Sequence, residues 1–286
     1  MPLTDYQASL ARRLSENRTF DSYLAGGAAI LIEPHTTRFS RDLDYFHDSE
    51  ARVAEAFAAD RRLLETGGYA IDVDLNLAGY VRAIVRKDGH ATKVEWARDS
   101  SWRFMPTVRD DRVGFMLHPV DLAVNKVLAL AGRDEPRDVL DALHLHRRVL
   151  AFGALCWAAC GKDPGFTPLS LLELLRRRGR VRAEDLARLD LAESTDLHAT
   201  KRAWLEALGS VEPFVASRPP EEIGCLYHSA SGRAFVDPRE VGDAVPHFGR
   251  PGGVLPRVTD PDSPRPASRT RAEPEPRGGS GVGDGW

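Results

Sequence analysis

The amino-acid sequence predicts an α+β fold, with strands and helices mixed over residues 1–118 and a helical region over residues 119–249. Two observations predict it. Runs rich in β-branched and aromatic residues, separated by glycine turns, recur up to Leu117 and are interleaved with amphipathic stretches. Beyond His118 the apolar residues recur at helical spacing instead. The chain has 286 residues, 42% of them hydrophobic, and is long enough to bury a sizeable core.

The elements follow in order. Residues 5–16 read as a helix, with Leu10 and Leu14 on one side. Phe20 to Ala25 reads as a short strand, then Gly26-Gly27 as a turn, then AAILIE as a helical stretch that stops before Pro34. Thr37 to Phe46 reads as a second strand. Residues 50–66 form an alanine-rich helix ended by Gly67-Gly68. YAIDVDLNL, YVRAIVRK and TKVEWA read as strands, the last two joined at Lys87-Asp88-Gly89 as a hairpin, and VGFML as one more. VDLAVNKVLALAG and EPRDVLDALHLHRRVL are helices, and about four more fill residues 151–216. IGCLYHSASGRAFVD reads as a hairpin. Residues 250–286 contain seven prolines and seven glycines and few aliphatic side chains. Such a segment cannot offset an ordering cost of ~1–2 kcal/mol per residue, so a disordered tail is expected there.

The formal net charge of −3 excludes a generally basic nucleic-acid coat, though not a local basic site. Only Lys87, Lys93, Lys126, Lys162 and Lys201 are lysines; the rest of the 39 basic residues are arginine. In so arginine-biased a chain, a lysine on an apolar helix is the more informative cation. The three cysteines make no disulfide framework. MPLTDYQASLARRLSEN holds no signal-like apolar stretch, and no run approaches the ~20 residues of a membrane span. A cytoplasmic protein is expected.

RFSRDLDYF, residues 38–46, is the strongest local feature. Side chains alternate along a strand, so Ser40, Asp42 and Asp44 share one face, while Phe39, Leu43 and Tyr45 would pack inward. Two carboxylates so spaced can hold a hard divalent cation; the plain alternative is a solvated strand face. Asp72 and Asp74 repeat the spacing without a flanking basic residue, and read as polar positions on a half-exposed strand. Gly26-Gly27 alone is a common tight turn, but one short helix separates it from the Asp pair, so the chain can fold the two together. Lys126 suits a phosphate clamp or a snorkelling helix edge equally. Asp138 and Asp141 share a helical face, where they also favour the helix dipole. Cys156 and Cys160 lack partners for a zinc site, and His144 and His146 point to different faces. RRRGRVR, residues 176–182, is the densest basic cluster, either a nucleic-acid contact or a solvated helix end.

YLAGGAAILIE followed by RFSRDLDYF resembles the signature of the AbiEii/AbiGii-type toxins, members of the polymerase-β-like nucleotidyltransferase superfamily. VDLAVNKVLALAGRDEPRDVLDALHL and WLEALGSVEPFVASRPPEEIGCLY extend the likeness over about residues 20–240. The resemblance implies a nucleotidyltransferase-like mixed sheet with flanking helices, in a catalytic domain over residues 1–118 that the helical region completes. It implies that Asp42 and Asp44 hold Mg²⁺, with Glu95 as a third ligand where the superfamily often has Asp. Gly26, Gly27 and Ser40 would meet the triphosphate, Lys126 would contact its charge, and Asp141 would be the last acidic member of the site. The implied reaction moves a nucleotide from a nucleoside triphosphate to an acceptor hydroxyl, with RNA, tRNA included, as the acceptor. The chain would be the toxin of a toxin–antitoxin pair, and its partner the cognate antitoxin protein. The runner-up is a non-catalytic binding protein with the same fold. An aspartyl-phosphate phosphatase using Asp42 as nucleophile ranks lower, since it has no need of Gly26-Gly27.

Overall fold

A computed structural model describes residues 3–32, 38–192 and 195–256. The chain opens with α1 (Asp5–Leu14), started by a reciprocal Thr4–Gln7 capping box. Next come β1 (Ser22–Ala25), α2 (Gly26–Ile30), β2 (Asp42–His47) and α3 (Glu50–Thr66). Then follow β3 (Ala70–Leu77), β4 (Tyr80–Lys87), β5 (His90–Arg98), β6 (Trp102–Arg103), β7 (Val108–Asp110) and β8 (Gly114–Met116). The helical part holds α4 (Pro119–Gly132), α5 (Pro136–Arg148), α6 (Phe152–Lys162), α7 (Pro168–Arg178), α8 (Ala183–Ala187), α9 (Leu197–Gly209) and α10 (Val211–Ala216). Four short strands close the described chain: β9 (Cys225–Ser229), β10 (Ala234–Phe235), β11 (Ala244–Phe248) and β12 (Arg250–Pro251).

The architecture is α+β, with a mixed seven-stranded sheet in the order β3-β4-β5-β2-β1-β8-β7. β2 runs parallel to β5, and β1 parallel to β8, while the other pairs are antiparallel. Alternation along the two central strands decides which face is core. Leu43 and Tyr45 of β2 and Val94 and Trp96 of β5 are buried. Trp96 lies edge-on to Phe57 of α3, and its indole N–H donates to Asp60 of the same helix at 2.7 Å. Asp60 also accepts from Arg18, so this buried acid ties α3 to the sheet. Asp42 and Asp44, and Lys93 and Glu95, therefore project to the opposite face. That face meets α2, which packs in turn on α4 and α5.

Two expectations are corrected. The strand read as Thr37 to Phe46 begins in the sheet only at Asp42, and Thr37 lies outside the described residues. Arg38 bridges to Leu191, and the Phe39 amide donates to the Asp190 carbonyl at 2.7 Å, so this segment pairs with the loop after α8 instead. Phe39, expected to pack inward, is consequently 38% exposed. The tail boundary at residue 250 also falls inside ordered structure. β12 pairs with β6, and the Val254 amide donates to the Phe104 carbonyl at 3.1 Å. Gly252 and Gly253 have φ of 79° and 77°, and a methyl group on Gly253 would run into the Met105 backbone. Glycine there serves a turn and a close approach, not disorder. Residues 257–286, the rest of the expected tail, lie outside the described residues. Among the described residues no helix is long and apolar enough to cross a membrane.

Candidate functional site

The antiparallel pairing of β1 with β2 sets Ala25 opposite Asp44. The next residue, Gly26, has φ of 61°, a conformation that side chains rarely adopt. A methyl group on it would collide with the Asp44 carboxylate, and one on Gly27 would lie 2.8 Å from the Arg38 guanidinium. The glycine turn and the acidic strand are thus in contact, as their spacing in the sequence suggested.

Both line a cavity of about 500 Å³ between the sheet and α4. β2 and β5 form its floor, with Asp42 level with Lys93 and Asp44 level with Glu95. Leu122, Asn125, Lys126 and Ala129 of α4, and Arg133 just past its end, face it from above. These positions follow a helical stripe, so one side of α4 runs the length of the trough.

The charges are arranged unevenly. Lys93 Nζ lies 3.0 Å from Asp42 and 2.7 Å from Glu95, and Arg137 lies 3.5 Å from Asp42. Burial alone would raise the pKa of Asp42, but Lys93 and then Arg137 and Arg38 hold it below the usual carboxylate range. Asp44 makes no hydrogen bond or ion pair among the described residues. Burial, then the neighbouring charges of Asp42 and Glu95, push its pKa up to about 7 against the pull of Lys93 and Lys126. A carboxyl flanked by two others and left without a cation of its own is suited to receive one.

The remaining expected residues fall into two groups. Lys126 lines the cavity but is buried, with Nζ 2.7 Å from Asp138 and 3.0 Å from Asp141. Asp141 stands behind the cavity wall, accepting two hydrogen bonds from Arg38 at 2.8 and 2.7 Å. Asp138 accepts from Arg133 at 2.7 Å. Burial works against both charges, yet Lys126 and Arg133 bring Asp138 down to about 2, and Lys126 and Arg38 lower Asp141. The two acids therefore stay charged and hold three cations in place at the rim. Ser40 is buried, and its hydroxyl donates to the Asp42 carbonyl at 2.9 Å, so it fixes the start of β2 rather than facing the cavity. Asp72 and Asp74 sit on the exposed edge strand β3, ion-paired with Arg86 and Arg82 across the β3–β4 pair.

Lys93, Arg38 and Arg133 are cavity residues that the sequence did not single out, and Arg137 entered only through the RDVLD stretch of the resemblance. Lys93 carried a legible signal: it is one of the few lysines and shares a strand face with Glu95. Arg38 and Arg133 carried none in an arginine-rich chain. The donor set fits one or two hard cations, since Mg²⁺ takes only one or two protein carboxylates and completes its shell with water and phosphate oxygens. Asp42 and Asp44 would be that pair. Among the described residues no three acidic, histidine or cysteine side chains converge as a metal cage. Glu95, expected as a third ligand, lines the same cavity and, like Asp42, is paired with Lys93.

No protein-family model matches the chain. In overall structure the chain is similar to MenT4, a nucleotidyltransferase toxin from Mycobacterium tuberculosis H37Rv, with a TM-score of 0.49 and 17% identity over 76% of this chain and 83% of that one. It is also similar to JHP933 from Helicobacter pylori, with a TM-score of 0.45 and 16% identity over 75% of this chain and 97% of that one.

Proposed function

We propose that this chain is a nucleotidyltransferase that moves a nucleotide from a nucleoside triphosphate to an acceptor hydroxyl. The observation that carries the reading is the contact between Gly26 and Asp44 inside a cavity whose rim is cationic. A bare glycine backbone lets a phosphate approach, and Arg133, Arg137 and Lys93 offer positive charge to a triphosphate beside two acids. Mg²⁺ held by Asp42 and Asp44 would supply charge neutralisation between triphosphate and acceptor oxygen. The residues themselves bind and orient. The acceptor oxygen forms a bond to the α-phosphorus, the bond from that phosphorus to the bridging oxygen breaks, and pyrophosphate leaves. The hydroxyl proton passes to a carboxylate of the acidic cluster. Lys126, Asp138 and Asp141 act through position, keeping Arg38 and Arg133 aimed at the cavity.

RNA, tRNA included, is the acceptor class we favour. A second cavity of about 680 Å³ shares Arg38 and Arg137 with the first and is bordered by Arg41, Arg177, Arg180 and Arg182, with Asp134, Glu135, Asp185 and Asp190 also lining it. Three of these arginines come from the RRRGRVR run, and the exposed ring of Phe39 lies among them, as in a surface that holds phosphates and stacks a base. The motif order adds the role of toxin, with an antitoxin protein as partner and the cytoplasm as its place of action. Lys93 between Asp42 and Glu95 is the feature that speaks for the non-catalytic alternative, because it already neutralises part of the acidic face. Incubation with each α-labelled triphosphate, Mg²⁺ and total RNA decides. Label entering RNA, and lost on chelation, is the expected result; nucleotide binding with no transfer of any of the four would favour the alternative.

A further inference from the structure

The far end of the main cavity holds a polar cluster that the transfer chemistry does not use. Phe46 follows Asp44 on the same face of β2, two residues or about 7 Å further along. Beyond it lies Asp99, whose amide donates to the His47 carbonyl at 3.0 Å, just past the end of β5. Asp99 Oδ2 accepts from Lys162 Nζ at 2.8 Å and from Asn125 Nδ2 at 3.3 Å. The acid thereby fixes the amide of Asn125: its NH₂ must face Asp99, and its carbonyl must face away. That carbonyl oxygen is buried and takes no hydrogen bond among the described residues. An orphaned acceptor is costly unless a ligand satisfies it. Lys162 has three N–H donors, of which Asp99 occupies one among the described residues. Asn125 and Lys162 both line the cavity, with the half-buried ring of Phe46 beside them.

We propose that Asn125 and Lys162, positioned by Asp99, read the hydrogen-bonding edge of the nucleobase of the incoming triphosphate. This rests on the nucleotidyltransferase reading and adds the determinant of its base preference. The cluster presents one fixed acceptor, the Asn125 carbonyl, and one fixed donor, the Lys162 ammonium. A nucleobase edge offers the complement, an N–H next to a ring nitrogen or carbonyl lone pair. Phe46 supplies a flat apolar surface for the ring. Both ends belong to one cavity. The glycine turn and Asp44 take the phosphates, and the cluster lies further along the same trough.

Titration of the four nucleoside triphosphates in turn, with Mg²⁺ and without acceptor, tests this by calorimetry. Inorganic tripolyphosphate serves as the base-free probe. The wild-type chain should favour one or two bases by about tenfold, the discrimination that one well-placed hydrogen bond gives. Asn125→Ala and Lys162→Met should each flatten that ranking to within about twofold, with tripolyphosphate affinity unchanged. If Asp99 and Lys162 only tie α6 to the sheet, both variants will keep the wild-type ranking, and the proposal is overturned while the function stands. Equal binding of all four bases by the wild type overturns it as well. Failure of the wild type to bind any triphosphate or tripolyphosphate removes the nucleotidyltransferase reading itself, and this proposal with it.

Discussion

Asp44 sits among like charges. It is half-buried beside two other carboxylates without a cation of its own, and its pKa is pushed up to about 7. A carboxyl whose folded pKa lies above its unfolded value lowers stability as pH rises from the unfolded pKa towards the folded one. Asp44→Asn removes that loss, so in the presence of a chelator the variant should melt higher than wild type at pH 8. The gain should be at most about 4 kcal/mol, at about 1.4 kcal/mol per pH unit over the interval from about 4 to about 7, and should vanish near pH 4. Differential scanning calorimetry at the two pH values checks it, and a lower midpoint at pH 8 would mean that Asp44 has a partner cation already. Much of this was legible beforehand. The two-residue spacing put both acids on one face, and the short spacer helix brought Gly26 to them. The Lys93 bridge was not legible, because alternation gives the face of a side chain and not its partner across the sheet.

At the scale of elements, α4 and α5 are held to the acidic strand by ion pairs rather than by apolar contact alone. Asp141 is fully buried and satisfies both Arg38 and Lys126. Asp141→Asn leaves two buried cations short of charge and should cost about 3–5 kcal/mol. Glu65→Gln, in the exposed pair with Arg61 on α3, should cost less than about 0.5 kcal/mol. Urea melts of the two variants give the comparison, and a loss under about 1 kcal/mol for Asp141→Asn would place that acid outside the structural network. The β12 segment supplies a second test. Truncation after residue 249 removes the pairing with β6 and should lower the thermal midpoint by several degrees more than truncation after residue 256. Equal midpoints would show that β12 adds nothing. Elements with strong local signals were readable to the residue: α3 spans the expected residues 50–66, and Asp88 and Gly89, with φ of 50° and 79°, form the β4–β5 turn. β7 and β12, two or three residues long, were not, since so short a run shows no alternation. The strand expected from Thr37 was read too early, because Arg38 is drawn away to Asp141, which lies 103 residues on in sequence.

The molecule as a whole uses the two faces of one sheet differently. α1 and α3 seal one face with an apolar layer and the Arg18–Asp60 pair, and the other face is left to charge. Burial on this scale also traps histidines as neutral groups. Desolvation lowers His47 to about 3, with Arg18 and Arg52 adding to it, and desolvation alone lowers His118 to about 4. Their folded pKa values lie below the unfolded value of about 6.5, so the unfolded chain takes up protons first. Stability should therefore fall as pH drops from about 6.5 towards 4, by at most about 1.4 kcal/mol per pH unit for each histidine. His47→Asn should flatten that limb, and an unchanged slope in denaturant melts between pH 6.5 and 4 would assign the acid lability elsewhere. The sequence reading reached the mixed architecture and the acidic centre through motif order; the arginine rim and the Asn125–Lys162 end of the trough depend on helix packing that no local pattern encodes. One comparison bears most directly on the proposed chemistry. Asp42 and Asp44 have the same spacing as Asp72 and Asp74, but only the first pair faces the glycine turn and the cavity. The rate of nucleotide transfer to RNA should be measured for Asp44→Asn beside Asp72→Asn and Asp74→Asn, each shown to be folded. Transfer should drop by about 10²–10³-fold or more in Asp44→Asn and stay within about twofold of wild type in the other two; full activity of folded Asp44→Asn, or equal loss in all three, would contradict the assignment.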